Sequence, residues 1–362
     1  MRNLVVLILM LVPVAAFANG YENYPSPIAW SPDGEWLASV EANDWPYNDG
    51  IVSGVLRLYN GDGLPVSELI AGDGIGSPVF NIGNELIAVY GGRIALFPSI
   101  GSTAEVKYIS ASAPVLDCTF EGTYELGRGW DILASVGERF YGANIWRISS
   151  DGSQLTQLTF NDSNTSAVQP LSLAFDNFLY LQQPGDSTGA AYERLWSWNK
   201  GVKETEAIQY SAPADMLSFP GDYHESNAVV LSSDPLQIVF QRGGWGDWKL
   251  IRLGADGVEQ VEMEDAEEPS VSGDGRWLAF VRRPAYAKAQ AEYDWDVIPQ
   301  IWLADRECHC LWHVQHSIAG GEFPALSRDG SRLAWIEFNE GRVRTVVRSV
   351  EEITATQPSG SY

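Results

Sequence analysis

The residues best suited to metal chemistry lie together near the C-terminal end of the sequence. Three of the four histidines and two of the three cysteines fall within residues 308–316, and thiolate and imidazole groups are good ligands for zinc or copper. On a strand, however, Cys308 and Cys310 would point to one face while His309 and His313 would point to the other. These four residues are therefore candidate metal ligands, with a plain outer strand as the favoured interpretation and a redox or intermolecular role for the cysteines as a third.

The cysteine count argues against a fold held together by disulfides. Cys118 is the third cysteine, and an odd count leaves at least one thiol unpaired within the chain. A bridge between Cys308 and Cys310 would close a very small, strained ring. We therefore expect the hydrophobic core to hold the fold together.

Aromatic residues, most of them beside acids, recur in separate segments of the sequence. Exposed Trp and Tyr side chains are typical binding anchors, and neighbouring Asp side chains accept hydrogen bonds from hydroxyl groups or bind cations. Alternatively, each ring packs over a neighbouring part of the fold. The binding interpretation selects Asp44, Trp45, Tyr47, Tyr141, Trp245, Asp247, Tyr293, Asp294 and Trp295.

The net charge of −24 limits the partners that the protein can bind. The sequence has 47 Asp and Glu residues against 23 Lys and Arg residues, so a nucleic-acid backbone or an anionic bilayer surface would be repelled. Beyond the N-terminal segment, no apolar run approaches the ~20 residues of a membrane span. We expect neither a nucleic-acid partner nor membrane insertion.

The first 18 residues have the pattern of a secretory signal peptide. Arg2 opens a short basic region, residues 4–14 are apolar, and Ala16-Phe17-Ala18 is a small-x-small cleavage pattern. The mature chain would begin near Asn19 and be periplasmic or secreted.

A short pattern recurs along the chain and predicts its secondary structure. Residues 29–40 recur as residues 271–280 and again as residues 326–335. Each copy places Asp-Gly or a close variant between an extended segment and an apolar Leu-Ala strand, which is the sequence of a β-hairpin.

Weaker copies extend the pattern to seven repeats, which average about 49 residues, the length of a four-stranded propeller blade. In each repeat a second apolar strand follows the first. In several repeats, a further turn and another strand come after the second strand. The repeats are centred near Ala38, Ala88, Ala134, Tyr180, Val239, Ala279 and Ala334.

These motifs resemble the WD40-like (PD40) repeat of the TolB-like propeller family. The resemblance rests on residues 31–38 (Ser-Pro-Asp-Gly followed by Leu-Ala) and 145–159, and it covers roughly residues 25–355. Similar repeats occur in propeller domains of prolyl-oligopeptidase-type peptidases and of oligogalacturonate lyases. The resemblance implies a β-propeller but no single function, because such propellers serve scaffolding and catalysis alike.

The family's enzymes fit this chain poorly. The peptidases carry an additional hydrolase domain, for which the repeats leave no room, and the lyases use a histidine-rich metal site drawn from several blades. His224 is the only histidine outside the 309–316 cluster, so such a site cannot be mapped residue by residue.

The sequence therefore predicts a signal peptide, residues 1–18, and a single all-β domain, residues 19–362: a seven-bladed β-propeller of four-stranded antiparallel blades, or six blades as the alternative. We expect an exported, non-catalytic protein-binding or scaffolding module without a cofactor, whose partner is an envelope protein or peptide. The alternative is a carbohydrate-binding or lyase-like propeller that uses the same loops with a divalent metal.

Overall fold

The computed structural model describes most of the chain after residue 26. The described residues are 27–42, 52–100, 105–121, 130–138, 142–161, 163, 165–174, 177–184, 194–199, 205–206, 224–233, 235–243, 248–254, 256–283, 298–314, 320–339 and 342–362. No helix among them is long and apolar enough to cross a membrane.

The first sheet consists of two four-stranded units that share one long strand. Its strands pair antiparallel in chain order, and β4 pairs with β3 as far as Ile75 and with β5 from Ile75 onward. The strands are β1 (Ile28–Trp30), β2 (Trp36–Ala42), β3 (Val52–Asn60), β4 (Pro65–Phe80), β5 (Leu86–Tyr90), β6 (Arg93–Phe97) and β7 (Lys107–Ile109).

The next three sheets each have four antiparallel strands, again in chain order. The third unit contains β8 (Val115–Glu121), β9 (Asp131–Val136), β10 (Asn144–Ser149) and β11 (Leu155–Gln157). The fourth unit contains β12 (Thr165–Ala174), β13 (Asn177–Pro184), β14 (Arg194–Asn199) and β15 (Thr205–Glu206). The fifth unit contains β16 (His224–Ser233), β17 (Leu236–Gly243), β18 (Lys249–Gly254) and β19 (Glu259–Glu264).

The last two sheets depart from four strands. The sixth unit contains β20 (Glu267–Val271), β21 (Trp277–Arg282), β22 (Gln300–Asp305) and β23 (Cys310–His313), and the C-terminal strand β27 (Gly360–Ser361) pairs with β23. The seventh unit contains β24 (Gly321–Leu326), β25 (Arg332–Asn339) and β26 (Arg342–Ser349), followed by the short helix α1 (Val350–Thr354).

The recurring sequence pattern folds as the predicted hairpin turn. Gly34, Gly275 and Gly330 have φ angles of 71°, 73° and 70°, a left-handed conformation that glycine adopts without steric cost. Ahead of each glycine, a buried Ser hydroxyl contacts the turn Asp and accepts a hydrogen bond from the backbone N–H that opens the next strand. The β-hairpin prediction is therefore confirmed in all three copies.

The repeat centres lie in the core. All seven predicted centres, Ala38, Ala88, Ala134, Tyr180, Val239, Ala279 and Ala334, lie on the second strand of successive units and are fully buried. Apolar clusters join neighbouring units, as where Ala279 and Leu303 of the sixth unit pack with Leu333 and Trp335 of the seventh. The core thus lies between faces of adjacent sheets, as the repeat pattern predicts.

The first and seventh units contact each other. Trp30 Nε1 donates a hydrogen bond to Ala325 O at 2.9 Å, and the Thr345 hydroxyl lies 2.8 Å from the Ser39 hydroxyl. Arg332 Nη2 forms an ion pair of 2.9 Å with Asp62. We call this set of contacts the seam.

The two ends of the sheets differ in their connections. The Asp-Gly hairpins lie at one end, which we call the turn end. At the opposite end, the loop end, the first strand of each unit begins and the second strand ends, as the antiparallel registers of β20 with β21 and of β24 with β25 show.

Candidate functional site

The first strands of all seven units line one cavity of about 360 Å³. This volume is within the range of small-molecule sites. The lining consists of Leu179 and residues 28–30, 78–80, 117–119, 169–171, 227–229, 268–269 and 323–324.

Strained backbone recurs in these first strands. Gln169, Asn227, Glu268 and Phe323 have φ angles between 50° and 56°, a region that costs energy for residues other than glycine. Each lies at a break in the pairing register with the second strand, and three of the four precede a proline. The cavity wall is therefore formed by bulges rather than by regular strands.

Side chains from the preceding unit satisfy the backbone at three of these bulges. Gln169 N–H donates to Asp117 Oδ2 at 2.7 Å, and Phe323 N–H donates to Glu268 Oε2 at 2.6 Å. Glu268 N–H donates to Gln241 Oε1 at 2.8 Å, and the Asn227 side chain donates to the same oxygen at 3.0 Å. These hydrogen bonds fix the lining residues from one unit to the next.

A buried ionic cluster lies beside the cavity, between the sixth and seventh units. Arg283 donates to Glu267 at 2.6 Å and to Glu322 at 2.9 Å, so it bridges the two sheets. Burial raises the pKa of Glu268 well above its usual value, and the neighbouring Glu322 and Glu267 raise it further. Burial also raises the pKa of Glu322, which Arg283 partly offsets. Three carboxyl groups thus lie near one guanidinium.

Cys118 also lines the cavity, but it is not set up as a nucleophile. Its side chain is buried, and burial raises the pKa of its thiol, as does the charge of the adjacent Asp117. A thiol that stays protonated is unreactive.

The nine predicted binding residues, Asp44, Trp45, Tyr47, Tyr141, Trp245, Asp247, Tyr293, Asp294 and Trp295, lie outside the described residues. The strands that flank their segments are described, however: each segment follows the second strand of its unit, namely β2, β9, β17 or β21. All four segments therefore leave the sheets at the loop end. Their role in binding stays a prediction.

Phe160 is an exposed aromatic residue that the sequence analysis did not select. It lies in the connection from β11 to β12, at the loop end, with 76% of its surface accessible. Such exposure of a large apolar side chain is a feature of binding surfaces when it occurs beside other anchors. Asp162 lies two positions after it, the same spacing as between Trp245 and Asp247, so the sequence held the same signal here.

The candidate metal ligands are held by other contacts. Cys308 and Cys310 form a disulfide with a Cα separation of 5.3 Å, within the usual range for such bonds, and the left-handed His309 between them reverses the chain. His309 packs edge-on against Tyr362, and His313 stacks on Trp302. Residues 310–313 form β23, the fourth strand of the sixth unit, and β27 pairs on its far side. No group of three or more His, Cys, Asp or Glu side chains suited to a metal occurs among the described residues.

One further motif has the spacing of a serine nucleophile. Residues 185–189 read Gly-Asp-Ser-Thr-Gly, which fits the pentapeptide of α/β-hydrolases. The segment lies outside the described residues, but it connects β13 to β14, which are antiparallel neighbours in one sheet. The hydrolase motif needs a strand followed by a helix, so this context does not support it.

Solved structures with the same fold include two oligogalacturonate lyases. The enzyme from Vibrio parahaemolyticus has a TM-score of 0.63 and 11% sequence identity, over 92% of each chain. An oligogalacturonate lyase in complex with manganese also has a TM-score of 0.63 and 11% identity, over 91% of this chain and 90% of that one. TolB from Acinetobacter baumannii has a TM-score of 0.48 and 15% identity, over 86% of this chain and 65% of its own.

Comparisons of sequence rather than of structure gave no match. No protein-family model matches the sequence, and no curated protein is significantly similar to it. Identities of this size show the fold and nothing finer. The chain is an all-β protein with the β-propeller fold of the lyases.

Proposed function

We propose that residues 19–362 form a seven-bladed propeller, exported through the signal peptide 1–18, that acts as a non-catalytic binding module of the cell envelope. Seven buried repeat centres on seven sheet units support the blade count. The seam between the first and seventh units supports a closed ring.

The observation that carries the binding proposal is the lining of the cavity. Trp30, Phe80 and Phe323 supply apolar wall, whereas Asp117 and Glu268 supply carboxyl groups from the third and sixth units. Among the described residues of the lining there is no Lys or Arg. Such a lining favours an apolar or positively charged group over an anion, because the Asp117 carboxyl would repel an anion.

This chemistry favours a protein or peptide partner over an acidic sugar. A partner segment that ends in a Lys or Arg side chain would place aliphatic carbons against the aromatic wall and its charge beside Asp117. The predicted anchors Trp45, Trp245 and Trp295 and the exposed Phe160 would contact the rest of that segment at the loop end.

The test is a pull-down from envelope extract with the mature protein as bait. The variants are the triple substitution Trp45→Ala, Trp245→Ala, Trp295→Ala at the loop end and Asp117→Asn in the cavity. The matched control is Leu64→Ala with Ile82→Ala, which removes two exposed apolar side chains at the turn end.

We expect one enriched protein that both test variants lose and the control retains. If the three tryptophans bind a partner rather than pack, the melting temperature of the triple variant should stay close to that of the wild type. Binding to a glycan array without any protein partner would overturn the proposal in favour of carbohydrate recognition. Unchanged capture by all variants would place the binding surface elsewhere.

A further inference from the structure

The turn between β22 and β23 carries a disulfide at the surface of the sixth unit. Cys308 and Cys310 form this bridge across a single residue, His309. Cys308 and His309 are exposed and Cys310 is half-buried, so the bridge is accessible to small thiols in solvent. Access is one of the factors that set the rate of thiol–disulfide exchange, and exposed bridges are the labile or catalytic ones.

This disulfide contributes little to holding the fold together. The stabilisation that a disulfide provides by restricting the unfolded chain grows with the length of the loop that it closes, and here one residue separates the cysteines. Backbone pairing already joins the two strands, with Asp305 opposite Cys310. His309 has a φ of 55°, which costs energy for a residue other than glycine. The bridge therefore holds an unfavourable turn rather than a long loop.

The C-terminal strand β27 lies directly on this turn. In its pairing with β23, Ser361 is opposite Cys310. Tyr362 N–H donates a hydrogen bond to His309 O at 3.3 Å, and the two side chains pack edge-on with ring centroids 5.3 Å apart. The end of β27 is thus held by residues whose position the bridge fixes.

The segment that precedes β27 is attached at points farther from the bridge. Trp312 Nε1 donates to Thr356 O at 3.2 Å, and His313 N–H donates to Ser359 Oγ at 3.2 Å. Ser359 N–H donates to Leu311 O at 2.7 Å. A change in the turn would therefore release the end of β27, residues 360–362, without detaching the segment before it.

We propose that the Cys308–Cys310 disulfide is an exchange site for dithiols, and that its reduction releases the end of β27 from the sixth unit. The proposal goes beyond the binding function and does not depend on it. Without the bridge, His309 is free to leave the left-handed region for a more favourable conformation. Its carbonyl group and its ring would then no longer face Tyr362.

The exchange takes place in two steps. A thiolate of the dithiol attacks Cys308 Sγ, the bond between the two cysteine sulfurs breaks, and Cys310 leaves as a thiolate that takes up a proton. The second thiolate of the dithiol then attacks the mixed disulfide, which releases Cys308 as a thiol and leaves the reductant as its own disulfide. Two electrons and two protons pass from the dithiol to the protein. Cys310 Sγ lies 3.5 Å from Cys308 O, so the new thiol has an acceptor within reach.

Reduction under native conditions tests the proposal. The mature protein is treated with dithiothreitol, and its reactive cysteines are identified by alkylation with iodoacetamide and mass spectrometry. Hydrogen exchange of the Tyr362 amide is followed by NMR after labelling with isotope-labelled tyrosine. The double variant Cys308→Ser, Cys310→Ser is measured with and without dithiothreitol, which separates loss of the bridge from any other effect of the reductant.

We expect alkylation of Cys308 and Cys310 while the buried Cys118 stays unmodified. The Tyr362 amide should exchange at least about tenfold faster in the reduced protein, because its hydrogen bond to His309 O is lost. The double variant should show the fast exchange with or without dithiothreitol. A bridge that is reduced only when Cys118 also reacts would overturn the proposal, and so would unchanged protection of Tyr362 after reduction.

The same coupling must act in the opposite direction, because linkage between two equilibria is reciprocal. Tyr362→Ala removes a contact that exists only with the bridge in place, so it should shift the equilibrium with a glutathione redox buffer toward the thiols by roughly fivefold or more. Tyr108→Ala, at a similarly exposed tyrosine on β7 of the second unit, is the matched control and should cause no shift. Equal equilibria for the two variants would contradict the coupling.

Discussion

At the scale of single residues, the buried serine of the hairpin turn shows how a short sequence pattern specifies structure. The Ser31 hydroxyl donates to Asp33 Oδ1 at 2.5 Å and accepts a hydrogen bond from Trp36 N–H at 2.9 Å. Burial would raise the pKa of Asp33, but hydrogen bonds from Ser31, from the backbone of Glu35 and from Asn84 lower it below its usual value. One hydroxyl therefore links the turn to the strand that follows.

Ser31→Ala should destabilise the fold by roughly 1–3 kcal/mol, because it leaves buried polar groups without their partner. Chemical denaturation of the mature protein measures the change. Ser112→Ala, at an exposed position, is the control and should change the unfolding free energy by less than about 0.5 kcal/mol. Similar losses for the two variants would contradict a specific role for the buried hydroxyl.

The buried carboxyls predict how stability depends on pH. Because the pKa values of Glu268 and Glu322 are raised in the folded state, the folded protein holds protons that the unfolded chain releases. Stability should therefore fall as pH rises from about 4.5 through the raised values. The pKa values of Asp33 and Asp329 are lowered despite burial, so stability should also fall as pH drops below about 3.8.

Glu268→Gln should raise the melting temperature at pH 8 and leave it nearly unchanged at pH 5. The amide carries no charge to oppose Glu267 and Glu322, and its oxygen can still accept the hydrogen bond from Phe323 N–H. Glu352→Gln, on the exposed face of α1, is the control. Melting curves between pH 4 and pH 9 provide the measurement, and a parallel shift at every pH would contradict the argument.

At the scale of the strands, hairpin turns were predictable and the cavity wall was not. The Asp-Gly turns and the buried repeat centres depend on residues close together in the sequence. The contact between Asp117 and Gln169 N–H joins residues 52 positions apart, and only the packing of adjacent units brings them together. A signal for the bulges was nevertheless present: Pro170, Pro269 and Pro324 lie inside first strands, where proline marks an irregularity.

The same reasoning explains why the cavity lining was not predicted from the sequence, while the role of the loop aromatics stays a prediction. Loop aromatics beside acids are visible in the sequence, and the structure shows that their segments leave the sheets at one end. Arg283 and its two carboxylate partners, Glu267 and Glu322, show no regular spacing in the sequence, because Glu322 comes from the next unit. Residues that meet across a sheet interface leave no local pattern.

Alanine substitutions at two equivalent turn glycines distinguish the cost of backbone strain from the cost of disturbed packing between units. A Cβ at Gly34 would meet nothing within 4 Å, whereas a Cβ at Gly275 would lie 2.9 Å from Leu231 O on β16. Gly34→Ala should cost roughly 1–2 kcal/mol through its positive φ alone. Gly275→Ala should cost at least about 1 kcal/mol more, because the fifth and sixth units must also move apart.

Denaturant titrations of the two alanine variants measure this difference. Gly257→Ala, in another turn with a φ of 76° and nothing near its Cβ, should match Gly34→Ala. Equal losses for Gly34→Ala and Gly275→Ala would mean that the turn of the sixth unit does not pack against the fifth as described.

At the scale of the whole molecule, the seam determines whether the sheet units form a ring. The Thr345 hydroxyl lies 2.8 Å from the Ser39 hydroxyl and 3.2 Å from Glu41 Oε1, and these residues are about 300 positions apart in the chain. The large negative net charge favours an open arrangement of the units through self-repulsion. Short-range contacts at the seam, including the Arg332–Asp62 ion pair, must oppose that repulsion.

A double-mutant cycle with Ser39→Ala and Thr345→Val tests the seam in solution. If the ring is closed, the two losses in unfolding free energy should be coupled by about 1 kcal/mol, since each substitution removes the same hydrogen bond. Pairing Ser39→Ala with Ser361→Ala, on the distant C-terminal strand, should give additive losses. Additive losses for Ser39 and Thr345 as well would mean that the first and seventh units are apart in solution. The coupling should persist at high salt, because a hydrogen bond between the buried Ser39 hydroxyl and the half-buried Thr345 hydroxyl is screened far less than the surface charges that oppose closure.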